Sequence, residues 1–143
     1  MNEALLEAKK AFDKNEVPVG AVVVYKNEII ARAHNNRVET KNFYGHAEFL
    51  ALIEASKVIG DWRLEECDVY VTLEPCPMCA GAMIQSRVHA LYYGALDPKS
   101  GAIESKLKMN DLNFNHKIQI HSGIKQDESS ELLKNFFKKI RNN

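Results

Sequence analysis

Apolar positions along this chain recur with two different periods, and the switches between them predict its elements. From Asn2 to Lys14, Leu5, Ala8 and Phe12 fall near one face, which predicts an amphipathic helix. Asn15-Glu16-Val17-Pro18 stops it. Val19 to Tyr25 is a β-branched run that reads as a buried strand. Lys26-Asn27-Glu28 makes a hairpin turn, and Ile29 to His34 is the partner strand. Asn35 to Gly45 is polar and aperiodic, which predicts a loop. His46 to Ile59 is apolar nearly all round, the mark of a buried helix, and Gly60 ends it. Asp68 to Leu73 reads as a strand, Cys76 to Ser86 as a helix and Ala90 to Gly94 as a strand. Such a strand-helix-strand unit implies a parallel pair. Asp97 to His116 is a long connection with one helical turn at most. Ile118 to His121 is a fifth strand. Glu128 to Arg141 is a closing helix with Leu132, Leu133, Phe136, Phe137 and Ile140 on its apolar face and Lys134, Lys138, Lys139 and Arg141 outside it. Two strands paired early, followed by alternating strands and helices, predict one five-stranded mixed sheet with helices on both faces, a three-layer α/β/α arrangement.

Composition narrows the class. The chain has 143 residues, enough for one domain with a proper core. No apolar run approaches the roughly 20 residues that span a bilayer. The N-terminal segment is acidic and helical in pattern, unlike a signal peptide, so a cytoplasmic location is expected. The formal net charge is zero, so any nucleic-acid footprint must be local. Three cysteines, an odd number, argue against a disulfide framework and leave Cys76 and Cys79 for metal binding or catalysis.

The chemistry lies in two fragments, His46-Ala47-Glu48 and Glu74-Pro75-Cys76-Pro77-Met78-Cys79. Cys76 and Cys79 are spaced i, i+3, so on the first turn of a helix their sulfurs face one way. The free N–H groups there favour thiolate. His46, at the start of the other buried helix, can supply a third ligand. Three protein ligands mark a catalytic zinc site rather than a closed structural one. Zinc with an open position lowers the pKa of a water to about 7, and Glu48, two residues after His46, is placed to move protons. His-x-Glu followed by Pro-Cys-x-x-Cys is the signature of zinc-dependent nucleobase deaminases. Half of a structural zinc finger would need a fourth ligand, and Cys67, His34 and His89 belong to no paired motif. A thioredoxin-like redox pair is disfavoured by the prolines around Cys76. Cys67 reads as a small core residue and Trp62 as a packing residue. Phe136 and Phe137 read more readily as core than as ligand contacts.

With these residues in place the chain resembles the bacterial tRNA-specific adenosine deaminases of the cytidine-deaminase-like superfamily. The likeness runs through Glu16 to Ala21, His34-Asn35, His46-Ala47-Glu48, Trp62-Arg63-Leu64, Val71 to Val88, Gly94-Ala95, Asp97 to Gly101, Phe136-Phe137 and Arg141. The resemblance implies one CMP/dCMP-type zinc-binding deaminase domain over residues 1–143. It implies hydrolysis of the wobble adenosine of a tRNA anticodon to inosine and ammonia, with one Zn2+ per subunit held by His46, Cys76 and Cys79 and with Glu48 as the proton shuttle. It also implies that Asn35 hydrogen-bonds the purine, that Val19 and Ala47 wall the pocket, and that Arg37, Asp97, Lys99, Phe137 and Arg141 touch neighbouring nucleotides. The partners implied are a tRNA anticodon stem-loop and a second copy in a homodimer, with no membrane. Gly45 stands where the family usually has Ala, and Ile103 to Met109 departs from the family's usual run. The competing readings are a deaminase of a free nucleobase or nucleoside, such as guanine or cytosine, and a non-enzymatic zinc-stabilised interaction module.

Overall fold

The hairpin at residues 20–34 forms because its turn chemistry and its strands agree. In the computed structural model, which describes residues 1–142, β1 (Gly20–Tyr25) turns into β2 (Glu28–His34) through Lys26 and Asn27, with φ of 50° and 65°. Two consecutive left-handed residues make the turn whose twist matches the flanking strands. The antiparallel register runs from Gly20 opposite His34 to Tyr25 opposite Glu28, with an irregularity between Val23 and Val24.

Around this hairpin the chain runs α1 (Asn2–Asp13), β1, β2, α2 (Arg37–Thr40), α3 (Ala47–Ile59), β3 (Cys67–Leu73), α4 (Pro77–Gln85), β4 (Ala90–Ala95), a 3-10 turn (Met109–Asp111), β5 (Gln119–His121) and α5 (Gln126–Arg141). Among the described residues the sheet has five strands in the order β2-β1-β3-β4-β5. β1 is antiparallel to β2 and to β3, while β3, β4 and β5 run parallel. The mixed five-stranded sheet expected from the sequence is the one present.

Alternation along the strands divides the core. Val69 and Val71 of β3 pack with Ala51, Leu52 and Ala55 of α3 and with Ala80, Met83 and Ile84 of α4. On the other face, α1 buries Ala4, Leu5, Ala8 and Ala11, and α5 buries Phe136. Gly20 lets α1 lie close on the sheet, because a Cβ there would overlap the Ala4 carbonyl and the Ala8 amide. Gly60, at φ 78°, ends α3 in a left-handed cap.

Several expectations need correcting. The loop predicted over 35–45 contains the single helical turn α2. α3 is not buried all round: Ile53 and Val58 are exposed. In α5 only Phe136 of the predicted apolar face is fully buried, and Phe137 and Ile140 are exposed at 45% and 50%. Helical rotation explains this, since neighbours at i and i+1 cannot share one narrow seam. Trp62, read as a packing residue, packs at the surface: it is 59% exposed, with the Arg63 and Arg87 guanidinium groups 5.6 and 5.9 Å from its ring. Cys67 is a core residue, as expected.

Candidate metal centre and substrate pocket

Two helix starts converge where the parallel strands end. β3 finishes at Leu73, and Glu74 continues its pairing by donating its N–H to Ala95 O at 2.9 Å. Pro75 then leads to Cys76 at the N-cap of α4. Pro77 takes the first helical position, where its missing N–H costs no bond. Cys79 follows one turn later and is fully buried. His46 is the N-cap of α3, with extended backbone. Its Nδ1 lies 3.5 Å from Cys76 Sγ and 3.5 Å from Cys79 Sγ. The three ligand atoms all lie within 4.8 Å of one another, and no other His, Cys, Asp or Glu joins the group among the described residues.

This donor set fits zinc. One imidazole nitrogen and two sulfurs are the ligand types zinc prefers, and three is the number of a catalytic site. The electrostatics prepare it. A hydrogen bond from Cys79, then one with His46, outweighs burial and pulls the Cys76 thiol down to about 4. Cys79, as the donor to Cys76 and itself buried, is pushed up. The His46 imidazolium is favoured first by its hydrogen bond with Cys76.

Glu48 stands beside the group in the first turn of α3 and is 4% exposed. Burial is the main cause that pushes its carboxyl up to about 7. A carboxyl poised near neutrality can both take and return a proton, which suits acid-base work.

The group opens into a pocket of about 490 Å³. Of the residues singled out from the sequence, the pocket brings together Val19, Asn35, Arg37, His46, Ala47, Glu48, Cys76 and Asp97. Asn35 is 7% exposed and fixed from both ends: its Nδ2 donates to Val17 O at 3.2 Å and its Oδ1 accepts from Arg37 N at 3.1 Å. Asp97 Oδ1 accepts the N–H groups of Lys99 and Ser100, both at 3.2 Å, so this carboxylate shapes its own turn. Lys99 is exposed on that turn, and Phe137 and Arg141 are exposed on α5; these three do not line the pocket. A larger groove of about 650 Å³ between β2 and α3 lies away from the metal ligands.

The sequence reading missed Val38, Phe43, Met78, Ser100 and two buried carboxylates, Glu16 and Glu74, among the lining residues. Glu16 is 2% exposed and accepts the N–H groups of Val38 and Glu39 at 3.1 and 2.7 Å, pinning the start of α2. Glu74, also 2% exposed, does the same for the opposite rim. Burial works to raise its pKa, but hydrogen bonds from Ser105, Asp97 and Glu104 outweigh it and hold the carboxyl below the usual range. The available signal was an acidic residue set against Val-Pro or Pro-Cys at the edge of an apolar strand. Gly45 also gains a reason: a Cβ there would lie 2.7 Å from Asn36 Oδ1 and 2.8 Å from the Arg37 backbone, so glycine lets α2 close against the segment that leads to His46.

The MafB19-like deaminase family profile matches residues 1–141. The chain is similar to a tRNA-specific adenosine deaminase of Bacillus subtilis (strain 168), 49% identical over 142 residues, covering 99% of this chain and 88% of that protein. It is also similar to a solved structure from work on A-to-I editing by tRNA:A34 deaminases at the wobble position of transfer RNA, with 42% identity and a TM-score of 0.90 over 93% of this chain and 97% of that one. A guanine deaminase structure from Bacillus subtilis shares the fold at 26% identity and a TM-score of 0.63, covering 99% of this chain and 91% of that one.

Proposed function

This chain is a MafB19-like deaminase of the tRNA-specific adenosine deaminase family, and we propose that residues 1–143 act as a single deaminase domain that hydrolyses the wobble adenosine of a tRNA anticodon to inosine, releasing ammonia. The observation that carries the chemistry is the three-ligand group of His46, Cys76 and Cys79 with buried Glu48 beside it. The 49% identity to a tRNA-specific relative over nearly the whole chain supports the substrate.

His46, Cys76 and Cys79 would hold one Zn2+ per subunit, and the ion would supply Lewis-acid activation of water at neutral pH. Glu48 takes one proton from the attacking water and delivers it to N1 of adenine as the oxygen bonds C6; it then takes the second proton from that oxygen and gives it to the amino nitrogen, and the C6–N6 bond breaks to release ammonia. Asn35, locked by Val17 and Arg37, presents its amide to the edge of the purine. Val19 and Ala47, both buried, form apolar walls for a base flipped out of the anticodon loop. Arg37 and Asp97 at the rim, with Lys99, Phe137 and Arg141 beyond it, meet the flanking nucleotides. The protein acts as a cytoplasmic homodimer. Exposed Val58, Trp62, Leu112 and Phe114 offer apolar surface to a second copy. No helix among the described residues is long and apolar enough to cross a membrane.

A second reading, deamination of a free base, is favoured by the shared fold of the guanine deaminase. An ammonia-release assay separates the two. The proposal expects release from an anticodon stem-loop and none above background from free guanine, cytosine, adenine or cytidine at equal concentration. The reverse pattern would give the site to a free base.

A further inference from the structure

One rim of the pocket is a segment without regular secondary structure. Asp97 and Ser100 line the pocket from it, and the chain between β4 and the 3-10 turn at Met109 forms neither strand nor helix. A single carboxylate organises it. Glu74 accepts the backbone N–H groups of Asp97 at 3.0 Å, Ile103 at 3.1 Å, Glu104 at 2.7 Å and Ser105 at 3.0 Å, and also the Ser105 hydroxyl. The segment wraps so closely that a Cβ on Gly101 would overlap the same carboxylate. Ala102 N–H donates to Pro75 O at 2.8 Å, and Gly101 N–H to Asp97 O at 2.8 Å. The short turn Glu74-Pro75-Cys76 therefore carries a metal ligand at one end and the substrate rim at the other.

Nothing else in the site explains this carboxylate. Glu74 is outside the metal-ligating group, and it forms no ion pair with a lysine, arginine or histidine among the described residues. Burying an ionised group without a countercharge is unfavourable unless donors surround it. Here five donors do, and four of them are backbone groups of the rim itself. Remove the acceptor and those N–H groups lose their only protein partner in the turn, so the rim must open to water.

We propose that Glu74 is a positioning residue for the RNA: it holds residues 97–105 in the one shape that presents Asp97, Lys99 and Ser100 to the nucleotides flanking the flipped adenosine, and it takes no part in proton transfer. This rests on the tRNA reading above. Its consequence is a separation of effects, in which loosening the rim weakens substrate binding while the metal and Glu48 remain in place.

The test compares the parent enzyme with Glu74→Gln, Ser105→Ala and Gly101→Ala. Glu74→Gln puts an NH2 group among N–H donors, so it cannot satisfy all of them. We expect its KM for an anticodon stem-loop to rise about tenfold, the scale of one lost hydrogen bond to a charged group. We expect kcat at saturation to stay within about threefold and zinc content to match the parent's. In the free enzyme, amide hydrogen exchange at Ile103, Glu104 and Ser105 becomes faster. Ser105→Ala, which removes one donor and disturbs little else, raises KM in the same direction by a smaller factor. Gly101→Ala pushes the rim off the carboxylate from the other side and raises KM as well. Unchanged KM and unchanged exchange in the variants that fold would overturn the proposal. So would a fall in kcat accompanied by zinc loss at constant KM, which would place Glu74 in the metal site. If the parent makes no inosine in the stem-loop, the substrate reading fails, and hydrogen exchange on the free protein alone decides whether Glu74 holds the rim.

Discussion

Replacing Glu48 by Gln isolates proton transfer from everything else the site does. The side chain is 4% exposed in the first turn of α3, two residues after the ligand His46. Glutamine has the same shape, so no cavity opens. It is not a member of the metal-ligating group, so the metal should stay. Burial already pushes the carboxyl up to about 7, which means the fold disfavours its charged form. The uncharged amide carries none of that cost of burying a charge. What disappears is the group that carries the proton. Positioned acid-base groups contribute about 10²- to 10⁴-fold, equivalent to about 3–5 kcal/mol of barrier. Single-turnover inosine formation in an anticodon stem-loop, with metal content and thermal midpoint measured on the same sample, should show that loss of rate with full zinc loading and an unchanged or higher midpoint. A rate within tenfold of the parent, or a variant without zinc, would refute the assignment of Glu48.

Adjacent phenylalanines on α5 should separate stability from binding. Phe136 is 2% exposed and packs edge-on to Phe12 at 5.8 Å, so Phe136→Ala should lower stability by about 3–5 kcal/mol in denaturant unfolding. Phe137→Ala, at a position 45% exposed, should leave the midpoint almost unchanged and raise KM for the stem-loop; equal effects of the two on stability would contradict the burial difference. Glu7 gives a pH dependence. Burial favours its neutral form, but hydrogen bonds from Lys10 Nζ at 2.6 Å and with His34 Nδ1 at 3.1 Å outweigh it and hold the carboxyl below its ordinary 4.5. A lowered folded pKa gives stabilisation that is complete above the ordinary carboxylate range and is lost as pH falls through the folded value. The unfolding midpoint of Glu7→Gln should therefore lie below the parent's at neutral pH and converge with it on acidification, whereas a constant gap from neutral to acid pH would show that the ion pairs do not matter.

Much of this architecture was legible in the sequence because local and long-range signals coincide. The β-branched run at 19–25 and the Lys26-Asn27 turn specify the hairpin without help from the rest of the chain. The candidate metal group of His46, Cys76 and Cys79 was legible for a similar reason: each helix start is marked by its own motif, and both lie where parallel strands end, a common place for ligand sites in α/β sheets. What stayed hidden depends on partners remote in sequence. Glu16 and Glu74 lie in motif-bearing stretches, but their acceptor roles could not be read, because the N–H groups they accept lie more than 20 residues downstream. The single turn α2 carries no periodicity of its own and is held by Glu16. Phe137 and Trp62 read as packing residues because they are aromatic, and only the angular position of each on the fold sends it to solvent. The contribution of Asp97 to its own turn was equally invisible, since its acceptor role follows from loop geometry.

The central claim is that this site makes inosine from adenosine within an anticodon loop. Mass spectrometry of the nucleosides released from a treated anticodon stem-loop, with and without prior chelation of the enzyme, tests it most directly. The account predicts inosine replacing adenosine at the wobble position, no inosine after chelation, and recovery when zinc is returned. Intact adenosine in the zinc-loaded reaction, alongside ammonia release from free guanine or cytosine, would contradict it.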